Sequence, residues 1–360
     1  MSRISKVIAL LLVVLLMLPM LASCKEAEHS ILDEVDFEKM GEGEEKGYNP
    51  GDTGDFESEK KNEDITLAYV VADITNEVFA MQLNEMIRYT REIGVNLLYT
   101  STKTDAERIT AIENYINMGV DAILSEVGTP DAMEDVFQKG LDAGIPMFAF
   151  DNRTKNADAF WSLQNYEYGE VLTKVACDWI NETFPSDQTV NVAICHFGGT
   201  SELAINREAG ARDTLAKLCP NAKVVAEFRA GNPVQGVEAG ENFMNCGEEI
   251  HCVIGLNDGG ALGVYEIFKA NGYLGDKIGI FGADATSEAI VALKEESIFR
   301  GTVTARIVYH AKDVIDILLR LAKGDMSARG DYWSEMIPVT LDSLDWYEEN
   351  NKVPENLIGQ

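Results

Sequence analysis

From residue 65 onward the chain alternates short, almost unbroken apolar runs with amphipathic stretches of about 10 to 15 residues, and this alternation limits the possible folds most. The first run, Ile65-Thr66-Leu67-Ala68-Tyr69-Val70-Val71, is nearly continuous, as a strand covered on both faces requires. Residues 79–93 then place Phe79, Leu83, Met86, Ile87 and Tyr89 or Thr90 near a 3.6-residue period, and Gly94 ends the predicted helix. Strands follow at 95–99, 120–124 and 145–150. The helices between them open at Thr104, where Glu107 completes a capping box, and at Thr129-Pro130, and they stop at Gly119 and Gly144. The same rhythm restarts with strands at 190–195, 223–228, 252–256 and 278–281 and helices centred near 210, 240 and 265. A helix over 311–323 and a polar tail with Trp333 and Trp346 complete the chain.

Strands separated by helices imply right-handed crossovers and parallel sheets. At 360 residues the chain exceeds one average domain, so the expected fold class is α/β with two doubly wound parallel-sheet lobes in tandem. Aromatic residues make up 8%, which leaves an aliphatic core and argues against a β-sandwich.

The N-terminus has a different character. Arg3 and Lys6 precede an unbroken apolar run from residue 7 to 18, too short to span a bilayer, as in a secretory leader. The run ends in Leu21-Ala22-Ser23-Cys24, which resembles the lipobox of bacterial lipoproteins and implies lipidation of Cys24 after loss of residues 1–23. Residues 25–62 carry 13 acids and five lysines among scattered glycines, the composition of a disordered, self-repelling spacer. The formal net charge of −30 excludes nucleic acid as a partner and leaves membrane attachment to the lipid. Six cysteines in a chain of this size do not make a disulfide scaffold. Cys177 and Cys195 sit in apolar stretches and read as inert core residues; Cys246 and Cys252 are close enough to pair, and the sequence leaves that open.

Ligands of open parallel sheets bind beyond the carboxyl ends of the strands, so the residues there are the candidates. Asn76 and Phe79 follow the first strand, and Asp151, Asn152 and Arg153 the fourth. In the second half His196 and Gly198-Gly199-Thr200, then Asn257-Asp258, then Asp284 occupy the same places. Short acids, amides and arginine suit hydrogen bonding to vicinal hydroxyls, with an aromatic face for the apolar side of a ring. Taken singly, each is equally a helix cap or a turn residue.

Several fragments in order resemble the type I periplasmic sugar-binding proteins of ABC transporters, the ribose- and galactose-binding group. They are Ala68-Tyr69-Val70-Val71 leading to Asn76-Glu77-Val78-Phe79, Gly144-Ile145-Pro146 running to Asp151, and Gly199-Thr200 followed by Arg207-Glu208 and Gly210. Asn257-Asp258 with Ala261-Leu262-Gly263, and Gly282-Ala283-Asp284, complete the set. The resemblance implies that Asn76, Asp151, Arg207, Asn257 and Asp284 bond ligand hydroxyls and that Phe79 stacks on the ring. Arg306 stands where the family carries an amide, which suits an acidic or unusual ligand; no aromatic matches the second wall. Three crossovers between lobes are implied near Gln164-Asn165, Thr304-Ala305 and Ile337-Pro338. They divide the chain into a leader (1–23), a tether (24–63), a first lobe (64–164 plus 305–336) and a second lobe (165–304 plus 337–360). The expected protein is a monomer outside the cell that captures a monosaccharide or similar solute and docks on an ABC permease.

Other readings have less support. No G-x-S-x-G elbow, phosphate-binding G-x-x-x-x-G-K-[ST] loop or H-E-x-x-H helix is present, and the four histidines are scattered, so neither an enzyme nor a cofactor or metal site is expected. The leader and the lack of a basic DNA-reading helix exclude a repressor. Signalling to a receptor, or a ligand such as a nucleoside or autoinducer, stays open.

Overall fold

The computed structural model describes residues 58–199, 201–351 and 356–359. The leader, Cys24, the acidic stretch up to residue 57 and Thr200 lie outside the described residues. Three helix ends built alike set the pace of the first lobe. The helices α1 (Glu77–Ile93), α2 (Asp105–Met118) and α3 (Pro130–Asp142) run between strands β1 (Thr66–Val71), β2 (Asn96–Ser101), β3 (Ala122–Glu126) and β4 (Met147–Asp151). Gly94, Gly119 and Gly144 take left-handed φ angles of 74°, 70° and 76°. The next residue then turns its backbone N–H back onto the helix: Val95 to Thr90 O, Val120 to Tyr115 O and Ile145 to Gly140 O. This is the Schellman closure, in which glycine alone takes the turn without a Cβ penalty. Each apolar run therefore begins by sealing a helix, and the strands start one or two residues later than the apolar pattern alone suggests.

β5 (Ala159–Ser162) and β11 (Gly330–Trp333) complete the first sheet, in the order β11-β5-β4-β3-β1-β2. The second sheet repeats the plan with β6 (Val190–His196), β7 (Ala222–Arg229), β8 (Cys252–Gly255), β9 (Gly279–Phe281), β10 (Phe299–Thr304) and β12 (Ile337–Val339), ordered β12-β10-β9-β8-β6-β7. Its helices are α4 (Asn165–Thr183), α5 (Glu202–Leu218), α6 (Pro233–Met244), α7 (Asp258–Ala270) and α8 (Ser287–Lys294); α9 (Ala311–Ala322) returns to the first lobe and α10 (Leu344–Asn350) to the second. All pairings are parallel except β10 with β12.

Side chains split by the two-residue period of each strand. Leu67, Tyr69 and Val71 of β1 join one core with α1 and α9, whereas Ala68 and Val70 join another with α2 and α3. In the second lobe Val192 and Ile194 face α4 and α5, and Ala193 and Cys195 face α6 and α7. Two helices meet without side chains between them. A Cβ on Gly169 of α4 would lie 2.0 Å from Arg207 O, and one on Gly210 of α5 would lie 2.0 Å from Tyr166 O.

The polar tail expected after α9 is not a tail. Trp333 lies in the edge strand β11, residues 337–339 give the second sheet its edge, and Trp346 lies in α10. The chain then returns to the first lobe: Leu357 and Ile358 donate backbone N–H bonds to Asn84 Oδ1, and Gly359 to Tyr99 OH. The stretch expected to be disordered up to residue 62 is held from residue 58, where Lys60 pairs with Asp121 and Asn62 bonds Ile93 O and Lys323. Cys177, Cys195, Cys219 and Cys252 are buried and Cys246 is half-buried, all as free thiols. Burial pushes the Cys195 thiol up to about 12, which keeps it unreactive. Among the described residues no helix is long and apolar enough to cross a membrane.

Candidate functional site

In both sheets the strand order reverses beside the first strand of the unit, between β1 and β3 and between β6 and β8, and a doubly wound sheet opens a crevice there. The two crevices face each other across one cavity of about 280 Å³. Asn76, Val78, Phe79, Glu126 and Asp151 line it from the first lobe, and Phe197, Arg207, Asn257 and Asp284 from the second. Residues 304–308 at a crossover and Tyr347 of α10 close it. At the mouth Ser287 N donates to Glu77 Oε2 at 3.0 Å, a bond that links the lobes.

Of the residues singled out in the sequence, the cavity brings together Asn76, Phe79, Asp151, Arg207, Asn257, Asp284 and Arg306. Asn76 and Asn257 are also N-caps, accepting from Val78 N and Gly260 N at 3.0 and 2.9 Å, so the structural and the site readings coincide. Asn152 and Arg153 line a neighbouring pocket between the lobes, which shares Asp151 and Leu203 with the cavity. Asn152 donates its side-chain N–H to Val127 O at 2.7 Å, while Arg153 pairs with Asp331 and lies over the Phe160 ring. Asp151, with its left-handed φ of 68°, is the turn between them and the cavity, so the next two side chains face the neighbouring pocket.

Asp284 (φ 115°) and Arg306 (φ 48°) share this unusual backbone. Non-glycine residues held there carry strain that gathers at functional sites. Arg306 is fully buried, its guanidinium 3.6 Å from the centre of the Tyr309 ring and 5.6 Å from that of Trp346.

Arg207 organises the opposite wall. Its Nε and Nη2 donate to Asn165 Oδ1 at 3.1 and 2.6 Å, and Nη1 donates to Leu256 O at 3.0 Å. The guanidinium lies 4.0 Å from the centre of the Tyr168 ring and 3.8 Å from Asp284. The close crossing at Gly169 and Gly210 sets this geometry, since Tyr168 and Arg207 lie beside those glycines on the two helices. Asp151 accepts from Asn165 Nδ2 at 3.0 Å, and Asp284 from Tyr168 OH at 3.1 Å. Burial raises the pKa of both acids, and Arg207 opposes the rise in each.

Of the lining residues that were not among the sequence candidates, two bear most on the chemistry of the cavity. Phe197 stands opposite the first lobe, with Gly231 close against its ring, and supplies an aromatic wall. Glu126, at the end of β3, is buried; desolvation first and Asp151 second push its pKa up to about 8, against Arg108 and the Ala72 amide. Both follow the rule that selected the others, applied at the true strand ends.

A carboxyl whose pKa is raised by folding holds its proton more tightly in the native state. Its contribution to stability is therefore complete below the unfolded value and is lost as pH rises through the folded one. The ligand-free protein is accordingly expected to unfold at higher temperature at pH 6 than at pH 8.5, and Glu126→Gln to reduce that difference. Thermal unfolding followed by circular dichroism across this range checks it; an unchanged slope in the variant would remove Glu126 as a source.

Among the described residues no cluster of His, Cys, Asp and Glu is placed to hold a metal ion.

Residues 67–326 match the family described as the periplasmic binding protein domain. A provisionally named rhizopine-binding protein of Rhizobium meliloti is 29% identical over 264 residues, which cover 69% of this chain and 82% of that protein. The D-galactose/methyl-galactoside binding periplasmic protein of Haemophilus influenzae is 36% identical over 269 residues, covering 67% and 76%. An ABC transporter solute binding protein from Bacillus halodurans, solved with bound myo-inositol, has a TM-score of 0.72 at 21% identity and covers 81% of this chain and 100% of its own, which shows a shared fold. With a match of this extent, and with two doubly wound lobes around one cavity, the chain belongs to the periplasmic binding protein domain family and is a binding protein, not an enzyme.

Proposed function

We propose that the chain is an extracytoplasmic solute-binding lipoprotein, tethered through Cys24, that captures a monosaccharide or similar cyclic polyol for an ABC permease. The observation that carries this reading is the cavity between the lobes at their two switch points, with Phe79 and Phe197 as aromatic walls and Asp151, Arg207, Asn257 and Asp284 as polar ones. A volume near 280 Å³ lies at the low end for small-molecule sites and suits one ring better than a chain of rings. The relatives named for rhizopine and galactose binding, and the neighbour holding myo-inositol, support the same class. Both walls belong to one chain, so a monomer suffices. Closure is a population shift: ligand that contacts both lobes favours the closed state by its differential affinity.

A thermal-shift panel of pentoses, hexoses, cyclitols, sugar acids and nucleosides tests the ligand class. Stabilisation by at least one ring polyol is expected; stabilisation by none of them would overturn the reading. Metabolic labelling with a fatty-acid analogue, with Cys24→Ser as control, tests the anchor. Incorporation into the parent and not the variant is expected, and equal absence from both would remove it.

A further inference from the structure

Glu126 brings to the cavity something the other walls do not. It is 8% exposed, it lines the cavity, and its Oε2 has no hydrogen-bond partner among the described residues. A buried carboxyl oxygen without a partner is costly whether it is charged or carries the proton, so its place on the cavity wall calls for a partner that arrives with the ligand. The groups around it decide what kind of partner. Asp151 at the end of β4 adds negative potential, and the Tyr69 phenol of β1 feels the Glu126 charge. Arg108 of α2 is the cation that acts on Glu126, and it is already ion-paired with Asp105 at 3.2 Å. Arg207 acts on Asp151 and Asp284, with three of its N–H groups bonded to Asn165 and Leu256. Three carboxylates thus line the cavity against the two guanidinium groups of Arg207 and Arg306, and the uncompensated acid falls at the corner of Glu126 and Asp151.

We propose that the ligand is an amino-substituted polyol, an amino sugar or aminocyclitol, whose ammonium group is received by Glu126 with Asp151 beside it. This rests on the polyol reading above and narrows it. An ammonium displaces the proton of Glu126 and bonds the oxygen it frees, and a charge-assisted hydrogen bond in a buried site is stronger than a neutral one. The proton balance is specific. Glu126 in the empty site keeps its proton up to a pH of about 8, and an arriving ammonium ionises it, so one proton leaves to solvent on binding at lower pH. Affinity for the amine therefore rises from pH 6 to pH 8, whereas a neutral polyol shows no such rise.

Isothermal titration of the full-length protein tests this with matched pairs: D-glucosamine against D-glucose, D-galactosamine against D-galactose, and an amino-deoxy inositol against myo-inositol. Each is run at pH 6 and pH 8 in two buffers of different ionisation enthalpy. One amino member is expected to bind about tenfold or more tighter than its parent, the gap between charge-assisted and neutral hydrogen bonds, with proton release at pH 6. Glu126→Gln is expected to bring that ratio near one; if it does not fold, Glu126→Asp, which withdraws the carboxylate by one methylene, is expected to lower it. A parent that binds as tightly as its amine, an amine affinity flat with pH, or a preference that survives Glu126→Gln would overturn the inference. Binding of parents without amine preference would leave the polyol reading standing, and binding of none of the six would remove both.

Discussion

Replacing Arg207 by alanine is expected to abolish tight binding and to lower the unfolding free energy by about 3–5 kcal/mol, the cost of stripping one partner from a buried charge cluster. The side chain is 4% exposed, and its guanidinium is the cation that restrains the raised pKa of both Asp151 and Asp284. Without it, Asn165 Oδ1 and Leu256 O lose their donors, and the Tyr168 ring loses the charge above it. Arg207→Lys is expected to rescue little, because an ammonium is a point charge without the planar fork that bridges Asn165 and Leu256. The stability loss should be smaller at pH 5 than at pH 8, since the abandoned acids then take up protons. Denaturant titration at the two pH values and calorimetric binding check both parts; a variant with unchanged midpoint and affinity would show that Arg207 holds neither the fold nor the ligand.

The second large effect is expected from Gly210→Ala. The added methyl would sit 2.0 Å from Tyr166 O and 2.9 Å from its carbonyl carbon, so nothing flexible can yield and α4 and α5 must separate. Overpacking of this kind costs about 1–3 kcal/mol, and a contact with backbone lies at the upper end. Separation also moves Arg207 away from Tyr168, so binding should weaken although no ligand contact is removed. Gly119→Ala is the comparison: its φ of 70° strains an alanine, but open space surrounds it, so about 1 kcal/mol and no change in affinity are expected. Equal effects at the two positions would refute the close-crossing argument.

The sequence pattern located eight strands and the two-lobed plan because buried parallel strands read as continuous apolar runs, and caps such as Thr104 with Glu107 form the bonds their spacing predicts. Four strands escaped it, the edge strands β11 and β12 and their neighbours β5 and β10: short or mixed stretches such as Gly330-Asp331-Tyr332-Trp333 and Phe299-Arg300-Gly301-Thr302 carry no period of their own, and pairing to a neighbour creates them. The site suffered from the same offset as the strands. Ending β3 at Leu124 hid Glu126, and ending β6 at Cys195 drew attention to His196, which is still paired with Arg229 inside the sheet. Because side chains alternate across a strand, a shift of one residue exchanges the side chain facing the cavity for its neighbour, here His196 for Phe197. Asn152 and Arg153 face the neighbouring pocket for another reason. The left-handed turn at Asp151 has no signature in its neighbours' identities.

The distribution of thiols has a practical side. Four of the five cysteines among the described residues are sealed in the cores, and Cys246, just beyond α6 on the second lobe, is the one that solvent reaches. In a chain begun at Ser58, an alkylating dye therefore has one accessible target, on the second lobe, with no need to remove other cysteines first. Labelled there, the protein carries one dye at a defined point of the second lobe, at the end of α6 remote from the cavity.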